Sequence, residues 1–348
     1  MPEKRRTWSR RGALAGAAGA TATAALTGRA GAGPVGAGLP AADRGRTANG
    51  RIHELRAGRH RVLVAGVAAT LLSWRVDGEE LLLTHPADEV GEGYQGKTIL
   101  PWPNRIDRGR YSFGGRQLQV PINEPSNDAA LHGLVLFEEW RPLHRSDDRV
   151  VLEHVLHPSY GYPFALTFRV EYAVDEGGLR RTLATKNVGT TDAPYGTATH
   201  TYIAASTGTV DSVRFELPAD TYYRTNERLI PTGTAPVAGT EYDFRTARPL
   251  GETTMDTAFT GLRREDGGNA VVRFDRPGGA SVRLWADDTH DYFQVYTDDE
   301  PDTDRPPRAG IAVEPMTCAP NAFVTGDGLI ALQPGEVHES SWGYQLED

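Results

Sequence analysis

Between Phe164 and Val174 the chain alternates strictly. Phe164, Leu166, Phe168, Val170, Tyr172 and Val174 fall on one face, with Arg169 and Glu171 on the other. A period of two marks a strand with one face in a core and one in water, because successive side chains of an extended chain point to opposite sides. Asp175-Glu176-Gly177-Gly178 then supplies a turn, and Leu179 to Lys186 is the predicted returning strand. The same grammar recurs at 271–274 (VVRF), with Arg276-Pro277-Gly278-Gly279 as the turn and 281–285 (SVRLW) as the return. Further strands are predicted over 61–65, 69–75, 150–156, 293–297, 310–315, 328–333 and 341–346.

The 39 glycines and 23 prolines are spread between these segments and interrupt any long 3.6-residue period. No convincing helix exceeds two turns, and no repeat of fixed length stands out. Many short strands without a strand–helix–strand rhythm point to an all-β protein, a large antiparallel β-sandwich. Residues 51–348 are long enough for one such domain.

The 348-residue chain begins differently. Lys4, Arg5, Arg6, Arg10 and Arg11 precede an Ala- and Gly-rich run from Gly12 to Thr27, the composition of an export signal over residues 1–30. Ser9-Arg10-Arg11, followed by Leu14, resembles the twin-arginine signal, and the weakly apolar run suits that route. An ordinary secretory signal carrying two arginines fits the same residues. Residues 31–50 are dominated by Gly, Ala and Pro and read as a flexible linker. The apolar run is too short to span a membrane.

Net charge narrows the partners. The chain carries −9 overall although its first residues are basic, so the remainder is more acidic still. That leaves no electrostatic footprint for nucleic acid or an anionic membrane surface. Cys318 is the sole cysteine, so no intrachain disulfide forms. In this context it reads as a small buried residue and not as a nucleophile.

Histidine titrates near neutrality and is the first place to look for acid–base chemistry. His154 and His157 form an H-x-x-H pair, but residues three apart on a strand face opposite ways and do not chelate together. His53, His60, His85, His144, His290 and His338 have uninformative surroundings and default to surface or loop positions. His132, in Leu131-His132-Gly133, and His200, in a run of small polar residues ending in Tyr202, keep more telling company.

Along the chain come Pro101-Trp102-Pro103-Asn104-Arg105-Ile106, the segment 109–115, Leu131-His132-Gly133, Gly161-Tyr162-Pro163 and His200-x-Tyr202. Met255-Asp256, Gln294-Val295-Tyr296-Thr297, Val313-Glu314-Pro315 and Leu332-Gln333-Pro334-Gly335-Glu336 follow. In this order the set resembles the aldose 1-epimerase (galactose mutarotase) family over about residues 52–346, closest to a bacterial branch with PWPNRI, HGLV and AVEPMTCAP-like segments. The resemblance implies a supersandwich fold with a pocket on one sheet face, and interconversion of the α and β anomers of a hexose without metal or cofactor. It makes Glu314 the general base and His200 the general acid. Arg105 and His132 would hold the sugar, and Asp256 would accept from its hydroxyls. Asn104, Tyr202 and Gln294 lie in matching motifs as further contacts. The family commonly has Pro or Ser after the second histidine, Phe after the tyrosine and two glycines after the first histidine. Here Thr201, Ile203 and a lone Gly133 depart from that pattern, which bears on substrate preference more than on reaction type.

The residue types suit the chemistry in their own right. Opening an aldopyranose needs a base for the anomeric hydroxyl and an acid for the ring oxygen, work suited to a carboxylate and an imidazole. Strand alternation puts Ile311 and Val313 on one face and Ala312 and Glu314 on the other. Trp102, Trp140, Trp285 and Tyr296 are candidates to stack on sugar C–H faces, but such residues are more often core, and at most one or two of them are expected in the pocket. Two other readings share these residues. One is a carbohydrate-binding protein that does not turn over. The other is a glycoside hydrolase or lyase using Asp256 and Glu314 as its two carboxylates.

Overall fold

The computed structural model of the chain describes residues 47–265, 267–300 and 305–347. The expected export signal, and the expected linker up to residue 46, lie outside these residues. At 47–50, Asn49 is buried and its side-chain amide donates to the carbonyls of Ala87 (2.8 Å) and Glu89 (2.7 Å).

The described chain is built from antiparallel strands. A nine-stranded sheet runs, in spatial order, Arg141–Arg145, Arg149–Leu156, Leu166–Asp175, Gly178–Asn187, Val337–Leu346, Val282–Ala286, Ala270–Asp275, Arg214–Glu216 and Arg248–Pro249. The alternating segment is the third of these. Leu166, Phe168, Val170, Tyr172 and Val174 are buried, while Arg169 and Asp175 are exposed. Its hairpin partner begins at Gly178, so the turn itself is Glu176-Gly177, tighter than expected. The strand starts at Leu166 and not at Phe164.

A second sheet carries Pro231–Pro236, Ala219–Thr225, Asp256–Leu262, Tyr292–Tyr296, Gly310–Met316, Ala198–Thr199 and Thr98–Ile99 in that order, with Tyr202–Ala204 also paired to Gly310–Met316. Polar contacts in the core tie it to the nine-stranded sheet. The Trp342 indole N–H donates to Thr199 Oγ1 (3.1 Å), Thr201 and Tyr344 share a hydroxyl bond (2.6 Å), and Arg181 Nη2 donates to Thr98 Oγ1 (3.4 Å). Between them lies the main apolar core, including Phe168, Val170, Leu284, Ile311 and Val313, all essentially without exposure. Truncating one such side chain to alanine typically costs about 2–5 kcal/mol.

Among the described residues the only α-helix is the four-residue Ala322–Thr325, which agrees with the lack of helical periodicity. Two histidine expectations are corrected. His53 and His60 are buried strand residues: His53 is 2 % exposed in Ile52–Ala57, and His60 accepts the Trp74 indole N–H (3.2 Å). His290 sits in a loop but is fully buried, its Nδ1 2.8 Å from Asp287. Hydrogen bonds to Trp74 and Asp287 hold the His60 and His290 rings inside the protein.

Candidate active site

Sheet register builds the centre of the site. Gln294 pairs with Glu314. Tyr202 pairs with Ala312 and Ala198 with Met316, so His200 falls opposite Glu314 from the other side. Ala258 pairs with Gln294 and Asp256 with Tyr296. Directly paired residues of an antiparallel sheet share a face. Asp256, Gln294, Tyr296, Glu314, His200 and Tyr202 therefore project together, away from the core that takes Ile311 and Val313. Thr201 and Ile203 point into that core as well, so these departures from the family pattern change packing behind the sheet and not the cavity wall. A smaller apolar cluster of Ile99, Leu136, Ala198, Tyr223, Ala258, Tyr292, Met316 and Ala319 supports the site on its own face.

The remaining residues come from loops held against this face. Arg105 starts the short strand Arg105–Asp107 and pairs with Leu131, which brings His132 beside it. Asn104 and His132 both adopt left-handed backbone angles (φ 52° and 60°), and the His132 amide donates to the Asn104 carbonyl (2.9 Å). Non-glycine residues in this region cost of order 1–3 kcal/mol and persist where the surroundings over-determine them. Gly133 makes the bend possible: it sits at φ 77°, and a Cβ there would lie 1.9 Å from the Leu100 carbonyl oxygen.

These elements enclose a cavity of about 230 Å³, lined by all eight residues named from the sequence: Asn104, Arg105, His132, His200, Tyr202, Asp256, Gln294 and Glu314. His200 Nε2 stands 3.3 Å from Glu314 Oε1, with the two side chains 7 % and 2 % exposed. The Tyr202 ring stacks on His200 (5.1 Å between centroids, 19°) while its hydroxyl donates to the Gly93 carbonyl (2.9 Å). Tyr202 thus orients the imidazole. Gln294 donates to Asp256 Oδ1, and Arg105 Nη1 lies 3.7 Å from Asp256 Oδ2. Glu314 Oε2 and His132 Nδ1, both buried, have no hydrogen-bond partner among the described residues.

Burial governs the protonation of these groups. It pushes the Glu314 carboxyl well above the usual carboxylate range, with the Asp256 charge adding to the effect and Arg105 opposing it. It holds His200 down at about 3, with Arg105 acting in the same direction. His132 is depressed by burial, His200 and Arg105 together. Asp256 is raised by burial against the pull of Arg105. A raised carboxyl touching a depressed imidazole makes one unit that carries a single proton.

The structure adds residues that the sequence did not single out. Glu124 grips Arg105 in a two-pronged pair (Nε–Oε2 2.8 Å, Nη2–Oε1 2.9 Å), leaving Nη1 directed toward Asp256. Tyr94 meets the His132 ring edge-on (4.9 Å), and Glu300 lines the cavity mouth. The glycine-rich segment around Tyr94 was a faint signal. Glu124 gave none, because its role exists only through Arg105. Of the four candidate stacking aromatics, Tyr296 lines the cavity, Trp102 and Trp140 belong to the core, and Trp285 lies on the other sheet. Cys318 is buried, and burial pushes its thiol up, away from a nucleophilic thiolate. Among the described residues no three His, Cys, Asp or Glu side chains gather as metal ligands, and no helix is long and apolar enough to cross a membrane.

The described residues thus combine an antiparallel β-sandwich with a carboxyl–imidazole pair in a polar cavity. The chain belongs to the aldose 1-epimerase family, whose model matches residues 51–345. It is 34 % identical to the protein YihR of Escherichia coli over 83 % of this chain and 91 % of that one. It is 32 % identical to the galactose mutarotase of Mus musculus over a stretch covering 49 % of this chain and 50 % of that one. The galactose 1-epimerase of Lactobacillus acidophilus shares the fold, with a TM-score of 0.73 at 22 % identity over 87 % of this chain and 96 % of that one.

Proposed function

We propose that this protein is an aldose 1-epimerase that opens and recloses the ring of a free hexose in the cavity around Glu314 and His200. The observation that carries the reading is the 3.3 Å approach of His200 Nε2 to Glu314 Oε1 on a buried sheet face. Binding alone does not call for an acid–base pair in contact.

In ring opening the pair's one proton sits on His200, and Glu314 takes the proton of the anomeric hydroxyl. The O1–H electrons become the second bond of the C1 carbonyl, the C1–O5 bond breaks, and O5 receives the proton of His200. Rotation about C1–C2 presents the other carbonyl face. Reclosure runs the transfers backwards: His200 takes the O5 proton, O5 attacks C1, and Glu314 returns a proton to O1. Both charges of the pair vanish at the open-chain stage, so the burial that disfavours a charged Glu314 and a charged His200 favours that stage. Each proton transfer typically contributes about 10²- to 10⁴-fold, enough for a useful rate without other chemistry. Arg105, its fork held by Glu124, donates to sugar oxygens through Nη1, and Asp256, oriented by Gln294, accepts from hydroxyls.

The test is the decay of optical rotation of freshly dissolved pure anomers of galactose, glucose and other aldoses, corrected for the spontaneous rate. Glu314→Gln and His200→Asn are each expected to keep sugar binding and lose at least a hundredfold of the accelerated rate, with the double variant little worse than either single one. Near-native rates in Glu314→Gln would remove the base assignment. Binding without acceleration of any aldose by the native protein would make it a binding module.

A further inference from the structure

The outer face of the nine-stranded sheet is notched where two neighbouring strands carry glycine. Gly343 lies opposite Arg180 on one side and Trp285 on the other, and Gly178 ends its hairpin opposite Asp175. Glycine inside a strand weakens it, since it packs nothing and costs chain entropy. Here its neighbours occupy the space. A Cβ at Gly343 would stand 2.7 Å from Trp285 Nε1 and 2.4 Å from the Leu179 carbonyl oxygen, and one at Gly178 would stand 2.1 Å from the Tyr344 carbonyl oxygen. The half-buried Trp285 indole therefore lies against Gly343 by its Nε1 edge and lines a groove of about 320 Å³. The groove is larger than the acid–base cavity and sits on the sheet that carries neither Glu314 nor His200.

Its polar groups are little used within the protein. The Trp285 indole N–H, the exposed Arg180 guanidinium and the Gln345 amide make no hydrogen bond or ion pair with a described residue. Asp148 and Asp175 engage one carboxylate oxygen each: Asp148 accepts from the Ser146 hydroxyl (2.6 Å), and Asp175 accepts from the Gly177 and Gly178 amides (2.8 and 3.1 Å). The mixture selects its ligand. An anion would face Asp148 and Asp175, a cation would face Arg180, and an apolar group would leave all of them without partners. A neutral ring suits every wall, provided that its C–H face lies on the indole and its hydroxyls donate to the carboxylates and accept from the guanidinium and amide.

We propose that this groove is a second carbohydrate site, which takes a neutral pyranose unit of an oligo- or polysaccharide and holds the protein to that glycan. The site stands on its own geometry and does not require the acid–base cavity to be a mutarotase.

The experiment is isothermal titration with gluco-, galacto- and xylo-oligosaccharides blocked at the reducing end as methyl glycosides, each run on wild type, Trp285→Ala and Arg105→Ala. At least one oligosaccharide is expected to bind wild type. Trp285→Ala should weaken that binding tenfold or more, and Arg105→Ala should leave it unchanged. Trp285→Ala should also retain the wild-type rate of optical-rotation decay on free aldoses, if wild type shows one. Arg180→Ala, at an exposed position, guards against a packing effect of the tryptophan change and should weaken binding at least threefold. No binding across the panel, or binding lost in Arg105→Ala and kept in Trp285→Ala, overturns the proposal.

Discussion

Glu314 and His200 sit 3.3 Å apart in the wall of a cavity, each barely exposed, and burial drives both toward their uncharged forms. His200 alone would titrate at about 3 and Glu314 well above its ordinary range, so between these limits the pair carries one proton whichever atom holds it. The acid limb of the rate profile is therefore displaced downward. The kcat/KM for mutarotation is expected to show no His200 inflection at pH 6.5, where an ordinary exposed histidine would titrate, and to fall toward pH 3 and again where the raised Glu314 ionises. A clear inflection near 6.5 that disappears in His200→Asn would show that His200 titrates normally. The motifs made both residues legible in the sequence. Glu124 was not, because a carboxylate that steers an arginine is identified by the arginine it meets, and that meeting is a product of folding.

At the scale of elements, the site depends on two kinds of segment. The strand Gly310–Met316 follows simple alternation, so the facing of Glu314 opposite to Ile311 and Val313 was readable in advance. The loops carrying Asn104 and His132 were not readable in the same way, since nothing in their composition announces left-handed backbone at a non-glycine residue. Gly133 is the point of least tolerance. Alanine there would be strained by φ 77° and would drive its Cβ into the Leu100 backbone. Gly133→Ala is expected to lower the urea midpoint by an amount corresponding to at least about 1–3 kcal/mol, the scale of such backbone strain. It should also reduce mutarotation out of proportion to the fraction unfolded, because His132 is the adjacent residue. An unchanged midpoint and rate would mean that the loop has room to shift.

Across the whole molecule, several histidines are buried in uncharged form. Burial lowers His53 to about 4, with Arg145 and Arg51 adding to it, and it also lowers His132 and His290. A histidine with a folded-state value below its unfolded value of about 6.5 lets the unfolded chain bind protons that the native chain refuses. Stability is then fully present above about 6.5 and is lost as pH falls toward 4. Glu314 and Asp256, raised by burial, act in the opposite sense, but they are outnumbered. The thermal midpoint is expected to drop progressively from pH 7 to pH 5, and His53→Gln should flatten that drop. A midpoint constant over the range would mean that the buried rings ionise without penalty.

Alternation of apolar and polar residues determined by itself that the chain forms short antiparallel strands, because the two-residue period of an extended chain is a local property. The ordered motifs likewise carried the family and the names of eight cavity residues. Tertiary structure alone decided that Asp256, Gln294, Glu314 and His200 share one sheet face, since that follows from the register between strands far apart in sequence. It also decided which charges meet, such as Glu124 with Arg105, and which histidines are sealed from water. Register and burial are set by the summed packing of both sheets, and no single segment contains that sum.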